Sequence, residues 1–566
     1  MCTRIDKELG LNKYEKETTQ TSQRLQISKV LFGKITFMSF RKLINFVFLS
    51  AMLSSCAPST VEAISLPTYD PFLPLVEKTS TPRPGFPTMT ATNTPLPPTA
   101  TREPTPTRAP VTIFTPINAA VLYSPTPDEL HILPTPRQDS IQYTVQSGDT
   151  LGDIAVNYGV SVETLMEANL IEDPNQLEVG QVLNIPAPNP VGAAPNFKVL
   201  PDSELVYGPA AIGFDIDAFI QSQNGYMATY EQDVNGIMLS GTEIVSLVAR
   251  NYSVNPRLLL ALIEYQSGWL TNPEPFNTSY PLGLPDEGHF GLYRQLTWAA
   301  NALNRGYYLW KANAISTVVL NDGTVAPLDP TINAGTAAIQ YFFSDLDDRA
   351  TWELDSGPTG VLLTYFVFFG NPFDLAIEPL VPASLQQPEM TLPFEVGQTW
   401  YFTGGPHGGW DSGSAWASLD FAPPGGDNGS CLPSPLWVTA MADGLIVRSS
   451  DGAVVQDLDN DGYEETGWVI FYMHIAGDGS PQAGEYLFTG ERVGHPSCEG
   501  GVSNATHVHI ARKFNGEWIP ADGSLPFILN GWVSSGGYYE YDGYLTRGDR
   551  TVEAYDGGEE INMISH

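Results

Sequence analysis

The spacing of apolar residues changes along the chain, and each change predicts a different kind of element. An apolar run, Leu43-Ile-Asn-Phe-Val-Phe-Leu-Ser-Ala-Met-Leu53, follows the basic start Met38-Ser-Phe-Arg-Lys42. That sequence of features describes a secretory signal, too short for a comfortable transmembrane helix. Between Ala57 and about Ser140 periodicity disappears into Thr/Pro/Ser-rich text such as Thr92-Asn-Thr-Pro-Leu-Pro-Pro-Thr99 and Ser124-Pro-Thr-Pro127. Such a stretch cannot bury a core, and its prolines favour an extended tether reaching at most roughly 250 Å. Tyr143-Thr-Val145 then alternates as a strand. Leu151, Ile154 and Ala155 share a helical face behind a cap at Asp149-Thr150, and Val162, Leu165 and Met166 repeat that face before a strand at Gln181–Ile185. Helical spacing dominates residues 200–390. There Pro256-Arg-Leu-Leu-Leu-Ala-Leu-Ile-Glu-Tyr-Gln-Ser-Gly268 opens on Pro and closes on Gly, as helices do. From about Leu392 the texture turns to short strands and Gly-rich turns, including Val438–Gly444, Leu445–Arg448, Trp468–Met473 and His507–Arg512. The expected fold is multidomain: a small βααβ module at 141–187, an α-helical region at 200–390 and an all-β domain of antiparallel sheet at 391–550. Residues 57–140 are expected as a linker and residues 551–566 as a tail.

Length and charge narrow the function. A chain of 566 residues accommodates three or four ordinary domains. Acidic residues outnumber basic ones by 63 to 27, a net charge of −36, and a field of that sign repels phosphate backbones. General nucleic-acid binding is thereby excluded. No second long apolar run follows the first, which excludes a polytopic membrane protein.

The apolar run closes on Leu53-Ser54-Ser55-Cys56, which resembles the lipobox of bacterial lipoproteins. The resemblance implies that residues 38–56 are a signal peptide, that Cys56 is acylated and anchors the protein to a membrane, and that residues 1–37 precede the true start. The alternative is an uncleaved anchor with an incidental Cys; both place the rest of the chain outside the cytoplasm. The strand–helix–helix–strand pattern at 141–187 resembles the LysM domain, a binder of N-acetylglucosamine-containing glycans such as peptidoglycan. That likeness implies glycan contacts in the loop after the first strand, at Ser147, Gly148, Asp149 and Thr150, and around Ile171–Gln176.

The run ending at Gly268, with Gly291-Leu-Tyr-Arg-Gln-Leu296, Ile332–Ile339 and Tyr365–Gly370 in order after it, resembles lysozyme-like lytic transglycosylases. Their pattern places Glu immediately before Ser-Gly, but here Gln266 precedes Ser267, and an amide cannot protonate a glycosidic oxygen. Glu264 stands two residues earlier, about 200° around the helix, and is expected to face elsewhere. The region reads as a lysozyme-like domain without its catalytic acid, open to glycan binding; an unrelated helical spacer is the alternative.

Chemistry concentrates in the all-β domain. Gly404-Gly-Pro-His407 is followed by Asp420 thirteen residues on, then by His474 at the end of a strand and by His507-Val-His509. Period-two alternation puts His507 and His509 on one strand face, about 7 Å apart. The set resembles lysostaphin-like zinc endopeptidases of peptidoglycan, in particular the β-lytic branch with its Gly-Gly-Pro-His. The resemblance implies His407, Asp420 and His509 as zinc ligands, with His474 and His507 acting on the water and the developing oxyanion. His495 matches no family position and reads as a loop residue. Cys431 and Cys498, an isolated pair in one domain of an extracytoplasmic chain, are expected to form a disulfide. Asp457, Asp459 and Asp461, with Glu465, have the spacing of a calcium loop whose twelfth position is Trp468 rather than Glu; an acidic hairpin tip is the alternative. The function so implied is a surface-anchored zinc peptidoglycan endopeptidase targeted by LysM. A non-catalytic wall-binding protein and a transglycosylase stand as alternatives.

Overall fold

The computed structural model describes residues 128, 130–146, 148–425 and 431–566, so the signal segment and Cys56 lie outside the described residues. Among the described residues no helix is long and apolar enough to cross a membrane.

The small module forms as its periodicity predicts. Strand β1 (Ile141–Thr144) pairs antiparallel with β2 (Val182–Ile185), and helices α1 (Leu151–Asn157) and α2 (Val162–Asn169) cover them. Leu151, Ile154, Ala155, Leu165, Leu183 and Ile185 make its own small core. The expected linker ends earlier than Ser140. Arg137 donates to the carbonyls of Tyr158 and Pro186, and the His131 ring stacks on Trp310 at 4.5 Å while Asp128 pairs with Lys198. Carbonyl and ring partners tie this stretch down, so it belongs to the folded body.

In the helical region α3 (Gly241–Tyr252) starts on a capping box from Ser240 and Glu243. Helix α4 (Pro256–Ser267) runs from Pro to the left-handed Gly268, as expected from its ends. Helices α5 (Leu292–Lys311) and α6 (Ala334–Ser344) pack along each other, followed by α7 (Arg349–Asp355) and α8 (Val361–Phe369). The region is not purely helical, because residues 231–240 and 317–327 form two hairpins.

The C-terminal part is built on one large antiparallel sheet, with a separate four-stranded antiparallel sheet of Ile528–Leu529, Trp532–Gly536, Gly543–Arg547 and Arg550–Glu553 and a two-stranded pair of Val438–Thr439 with Arg492–Gly494. The strands of the large sheet are β3 (Thr399–His407), β4 (Ser418–Ala422), β5 (Gly444–Ser450), β6 (Ala453–Asp457), β7 (Trp468–Met473), β8 (Tyr486–Leu487), β9 (Val508–Phe514), β10 (Glu517–Trp518) and β11 (Met563–Ser565). The order is β8-β5-β6-β7-β9-β4-β3-β11, with β10 pairing β9 at the side. The expected tail is therefore partly sheet: Met563, Ile564 and Ser565 pair with Tyr401, Trp400 and Thr399, and Ile564 is fully buried. Buried Ile564 and the buried Asn562 amide, which donates to the carbonyls of Phe402, Tyr555 and Gly557, seat that segment against the edge of β3.

The two faces of this sheet have different partners. Ile470, Tyr472, Val508 and Ile510 join Trp400, Phe402, Phe527 and Trp532 in one core. Val455, Val469, Phe471, Met473, Ala511 and Trp518 instead share a core with the helices, including Leu259, Leu303 and Trp352. The regions at 200–390 and 391–550 are thus not separate globules. Alternation along the strands leaves the sheet a second apolar face, and the helices cover it.

Candidate metal centre

The strand register assembles the site. Asp420 of β4 stands opposite His509 of β9, which in turn stands opposite Met473 of β7. His407 ends β3, whose register against β4 shifts twice between Phe402 and His407. Irregularities of this kind re-aim a side chain. Gly404 also faces Asp420, and a Cβ there would lie 2.6 Å from Asp420 Oδ2, so glycine is what lets the strand pass the carboxylate.

Three atoms converge. His407 Nε2 lies 3.0 Å from His509 Nδ1 and 3.3 Å from Asp420 Oδ1, and His509 Nδ1 lies 3.2 Å from the same oxygen. All three residues are buried, with His407 3% exposed, Asp420 7% and His509 5%. The opposite ring nitrogens set the protons. His407 Nδ1 meets the Gly405 carbonyl at 2.7 Å and His509 Nε2 meets the Gly409 carbonyl at 3.2 Å. A carbonyl only accepts, so in the neutral rings those nitrogens donate and the lone pairs sit on His407 Nε2 and His509 Nδ1. Two lone pairs then face a carboxylate oxygen that is buried with no hydrogen-bond partner among the described residues. Burial would raise the Asp420 carboxyl, but the imidazoles of His407 and His507 hold it well below its ordinary range. With both rings neutral, two ring lone pairs and a carboxylate oxygen converge on one point, which a cation would satisfy; without one, burial would lower the His407 ring, but the Asp420 carboxylate raises it above its ordinary range. Tetrahedral zinc with bonds of about 2.0–2.2 Å spaces its ligands about 3.3 Å apart, which these separations fit.

His474 and His507 stand beside this triangle, their ring centroids 4.5 Å apart and that of His474 6.1 Å from that of His509. His507 Nε2 is 3.7 Å from Asp420 Oδ2, so His507 and His509 address the two oxygens of one carboxylate, in keeping with a shared face. His507 Nδ1 meets the Ala505 carbonyl at 2.8 Å, and His474 Nδ1 meets the Glu499 carbonyl at 3.1 Å. Burial, with the His507 and His509 rings beside it, pushes His474 down to about 3. His474 is therefore neutral with its lone pair on Nε2. A neutral ring accepts a proton at Nε2 before it can donate one there.

The remaining expectations separate. Cys431 and Cys498 are joined in a disulfide. His495 packs on Trp437 and stays out of the cluster. Asp457, Asp459 and Asp461 bring carboxylate oxygens within 4.8 Å of one another, but Glu465 does not join them. Its neighbour Glu464 is drawn to Arg448 and Lys513, and burial beside Glu464 raises the Glu465 carboxyl. In the LysM loop Ser147 lies outside the described residues. Gly148 takes φ +101°, Asp149 accepts from the Tyr143 hydroxyl at 2.8 Å, and Thr150 caps α1 by accepting from Asp153 N. Gln266 faces Gly283, whose added Cβ would meet its Oε1 at 3.3 Å. The Glu264 carboxylate accepts from Leu270 N, Thr271 N and the Thr271 hydroxyl, so it closes the end of α4.

One contact was missed from the sequence. Tyr541, from a turn far along the chain, stacks on the His407 ring at 4.2 Å, while the Glu540 carboxylate accepts from Gly408 N. The run Tyr538-Tyr539-Glu540-Tyr541 in a turn was the available signal.

Parts of the chain are similar to known proteins. Residues 143–186 match the family described as LysM domain, and residues 198–382 match the family described as LasA, N-terminal domain. The second match covers the segment likened to lysozyme-like transglycosylases. Protease LasA of Pseudomonas aeruginosa (strain UCBPP-PA14) is 23% identical over 351 residues, 58% of this chain and 78% of that protein. N-acetylmuramoyl-L-alanine amidase XlyA of Bacillus subtilis (strain 168) is 38% identical over 120 residues, 20% of this chain and 39% of that protein. Among solved structures, the M23 metalloprotease pseudoalterin from the deep sea aligns at 25% identity with a TM-score of 0.24, covering 31% of this chain and 97% of that one. The chain thus joins a LysM domain to a region similar in sequence to a LasA-type peptidase.

Proposed function

We propose that this chain is an extracytoplasmic, zinc-dependent endopeptidase of peptidoglycan, anchored through Cys56 and targeted by its LysM domain. The convergence of His407 Nε2, His509 Nδ1 and Asp420 Oδ1 within 3.0–3.3 Å of one another carries the reading. Zinc held by these three residues supplies Lewis acidity, acidifying a water and polarising a carbonyl. The chain's own contribution is proton handling. His474 and His507, each fixed by its Nδ1 on a backbone carbonyl, keep a lone pair at Nε2 for the proton of the attacking water. Once protonated, the same nitrogen can donate to the oxyanion or the leaving amine. The names of the relatives, a protease and an N-acetylmuramoyl-L-alanine amidase, support a wall polymer as substrate. A transglycosylase reading of the helical region lacks its acid, since Gln266 is an amide and Glu264 is spent on the helix end. The triad Asp457, Asp459 and Asp461 is assigned no zinc, and calcium there stays secondary to the reading.

Metal analysis of the purified full chain beside peptidoglycan turnover tests this. His407→Ala and His509→Ala are expected to lose both zinc and activity. His474→Ala and His507→Ala are expected to keep stoichiometric zinc and lose about 10²–10⁴ in rate. Full zinc occupancy in His407→Ala would remove His407 from the ligand set.

A further inference from the structure

Strand β7 ends at Met473, and the residue after it takes a backbone conformation that most side chains avoid. His474 has φ +64°, in the left-handed region. A non-glycine residue is strained there and persists only where its surroundings hold it. Part of the hold comes from the residues that follow: Ile475 N donates to the Gly452 carbonyl and Ala476 N to the His495 carbonyl. His474 itself is met by one short loop, Ser497-Cys498-Glu499.

Ser497, buried at 1% exposure, holds the His474 carbonyl with two donors, its backbone N at 2.7 Å and its hydroxyl at 3.1 Å. The same hydroxyl oxygen accepts from Glu499 N at 3.0 Å. A hydroxyl donates once and accepts as well, so one group fills both roles. That turn sets the Glu499 carbonyl 3.1 Å from His474 Nδ1. The Ser497 carbonyl in turn accepts from His507 N at 3.4 Å, where the two residues pair antiparallel. One serine thus touches the backbone of both histidines that stand beside the metal centre. Its loop is anchored from outside as well. Cys498 is joined to Cys431, Ser434 N donates to the Pro496 carbonyl, and the Glu499 carboxylate accepts from Gly477 N at 2.9 Å. There is little slack, since a Cβ on Gly452 would lie 2.3 Å from the Glu499 carbonyl oxygen.

We propose that Ser497 is a positioning residue for the reaction. Through its hydroxyl it aims the Glu499 carbonyl at His474 and so keeps the proton of that ring on Nδ1 and the lone pair on Nε2. The His474 ring, whose centroid is 4.5 Å from that of His507, is then ready to take a proton without first changing tautomer. This rests on the endopeptidase reading above, and deepens it by naming what sets the base.

Nitrogen NMR of the zinc-loaded full chain, with its histidines isotope-labelled, reads the ring directly. The unaltered chain is expected to show His474 protonated at Nδ1 alone. Ser497→Ala keeps the backbone N–H bond to His474, and is expected to hold stoichiometric zinc while showing both tautomers. Its kcat on peptidoglycan is expected to fall about tenfold with KM unchanged, short of the full worth of an acid–base group. Ser497→Thr, which returns a hydroxyl, is expected to restore both the single tautomer and the rate. A folded Ser497→Ala with unchanged tautomer or unchanged kcat overturns the proposal, as does a Thr variant as impaired as the Ala one. Loss of zinc from Ser497→Ala also overturns it, by making the serine a support of the whole site. The unaltered chain alone can overturn it, through a His474 ring protonated at Nε2. The endopeptidase reading fails separately, if the zinc-loaded unaltered chain leaves peptidoglycan uncut, and the tautomer measurement stands whatever that outcome.

Discussion

At the scale of single residues, the site depends on what one glycine allows. Gly404 leaves room for the Asp420 carboxylate, and an added Cβ would lie 2.6 Å from Oδ2 and 3.0 Å from the Asp420 Cβ. Backbone on one side and a buried carboxylate on the other leave little room to yield. Gly404→Ala is expected to lower zinc affinity about 10–100-fold, as loss of a ligand's support does, with the fold retained. Competition with a zinc chelator, read beside circular dichroism, measures both. The residues that converge here, His407, Asp420 and His509, were singled out in the sequence by the spacing of their motifs. The lone-pair arrangement was not, because it depends on which backbone carbonyl each ring meets: Gly405 for His407, Gly409 for His509, Glu499 for His474.

At the scale of elements, an ion cluster ties strands β5 and β9 to the turn before β7. Glu464 is buried at 7% exposure and accepts from Arg448 at 3.0 Å and Lys513 at 3.2 Å. Burial by itself would raise its carboxyl, but the two cations draw it down from 4.5 to about 2. A carboxyl depressed in the folded state contributes stability above its unfolded value and loses it as pH falls through the folded one. Glu464→Gln is expected to cost about 3 kcal/mol at neutral pH, with the difference from the unaltered chain shrinking as pH falls from 4.5 toward 2. Denaturant titrations at neutral and acid pH check the sign. A gap that widens in acid would show that the pair does not hold this corner. The same cluster explains why Glu465 was misread as part of the calcium spacing, since its neighbour is pulled to two cations from other strands.

At the scale of the whole molecule, helices and sheet share one core. Leu259, Leu303 and Trp352 belong to the same buried cluster as Val455, Phe471 and Trp518. Hydrogen bonds cross the same boundary, from the Tyr252 hydroxyl to Asp411 at 2.8 Å and from the Tyr307 hydroxyl to Glu517 at 3.1 Å. Residues 198–566 are therefore expected to unfold in one cooperative transition, with the LysM core free to melt apart from it. Trp352→Ala, a fully buried change within the helices, is expected to cost about 3–5 kcal/mol and to destabilise the sheet by the same free energy. Scanning calorimetry followed by hydrogen exchange of β7 and β9 reads this. A sheet that melts unchanged in the variant would restore two independent domains.

The sequence by itself determined what depends on local spacing and residue chemistry. The LysM elements, helix α4 between Pro256 and Gly268, the strand Trp468–Met473, the disulfide pair and the set His407, Asp420, His474, His507 and His509 all carry their signal within a few residues or in a motif. Tertiary structure alone decided what depends on contacts between distant segments. It set Tyr541 on His407, β11 on the free edge of β3, and the helices on the second face of the sheet. The physical reason is the same in each case. An apolar face or an unpaired strand edge announces that it needs a partner, but the chain holds many candidates, and only the packed whole selects one.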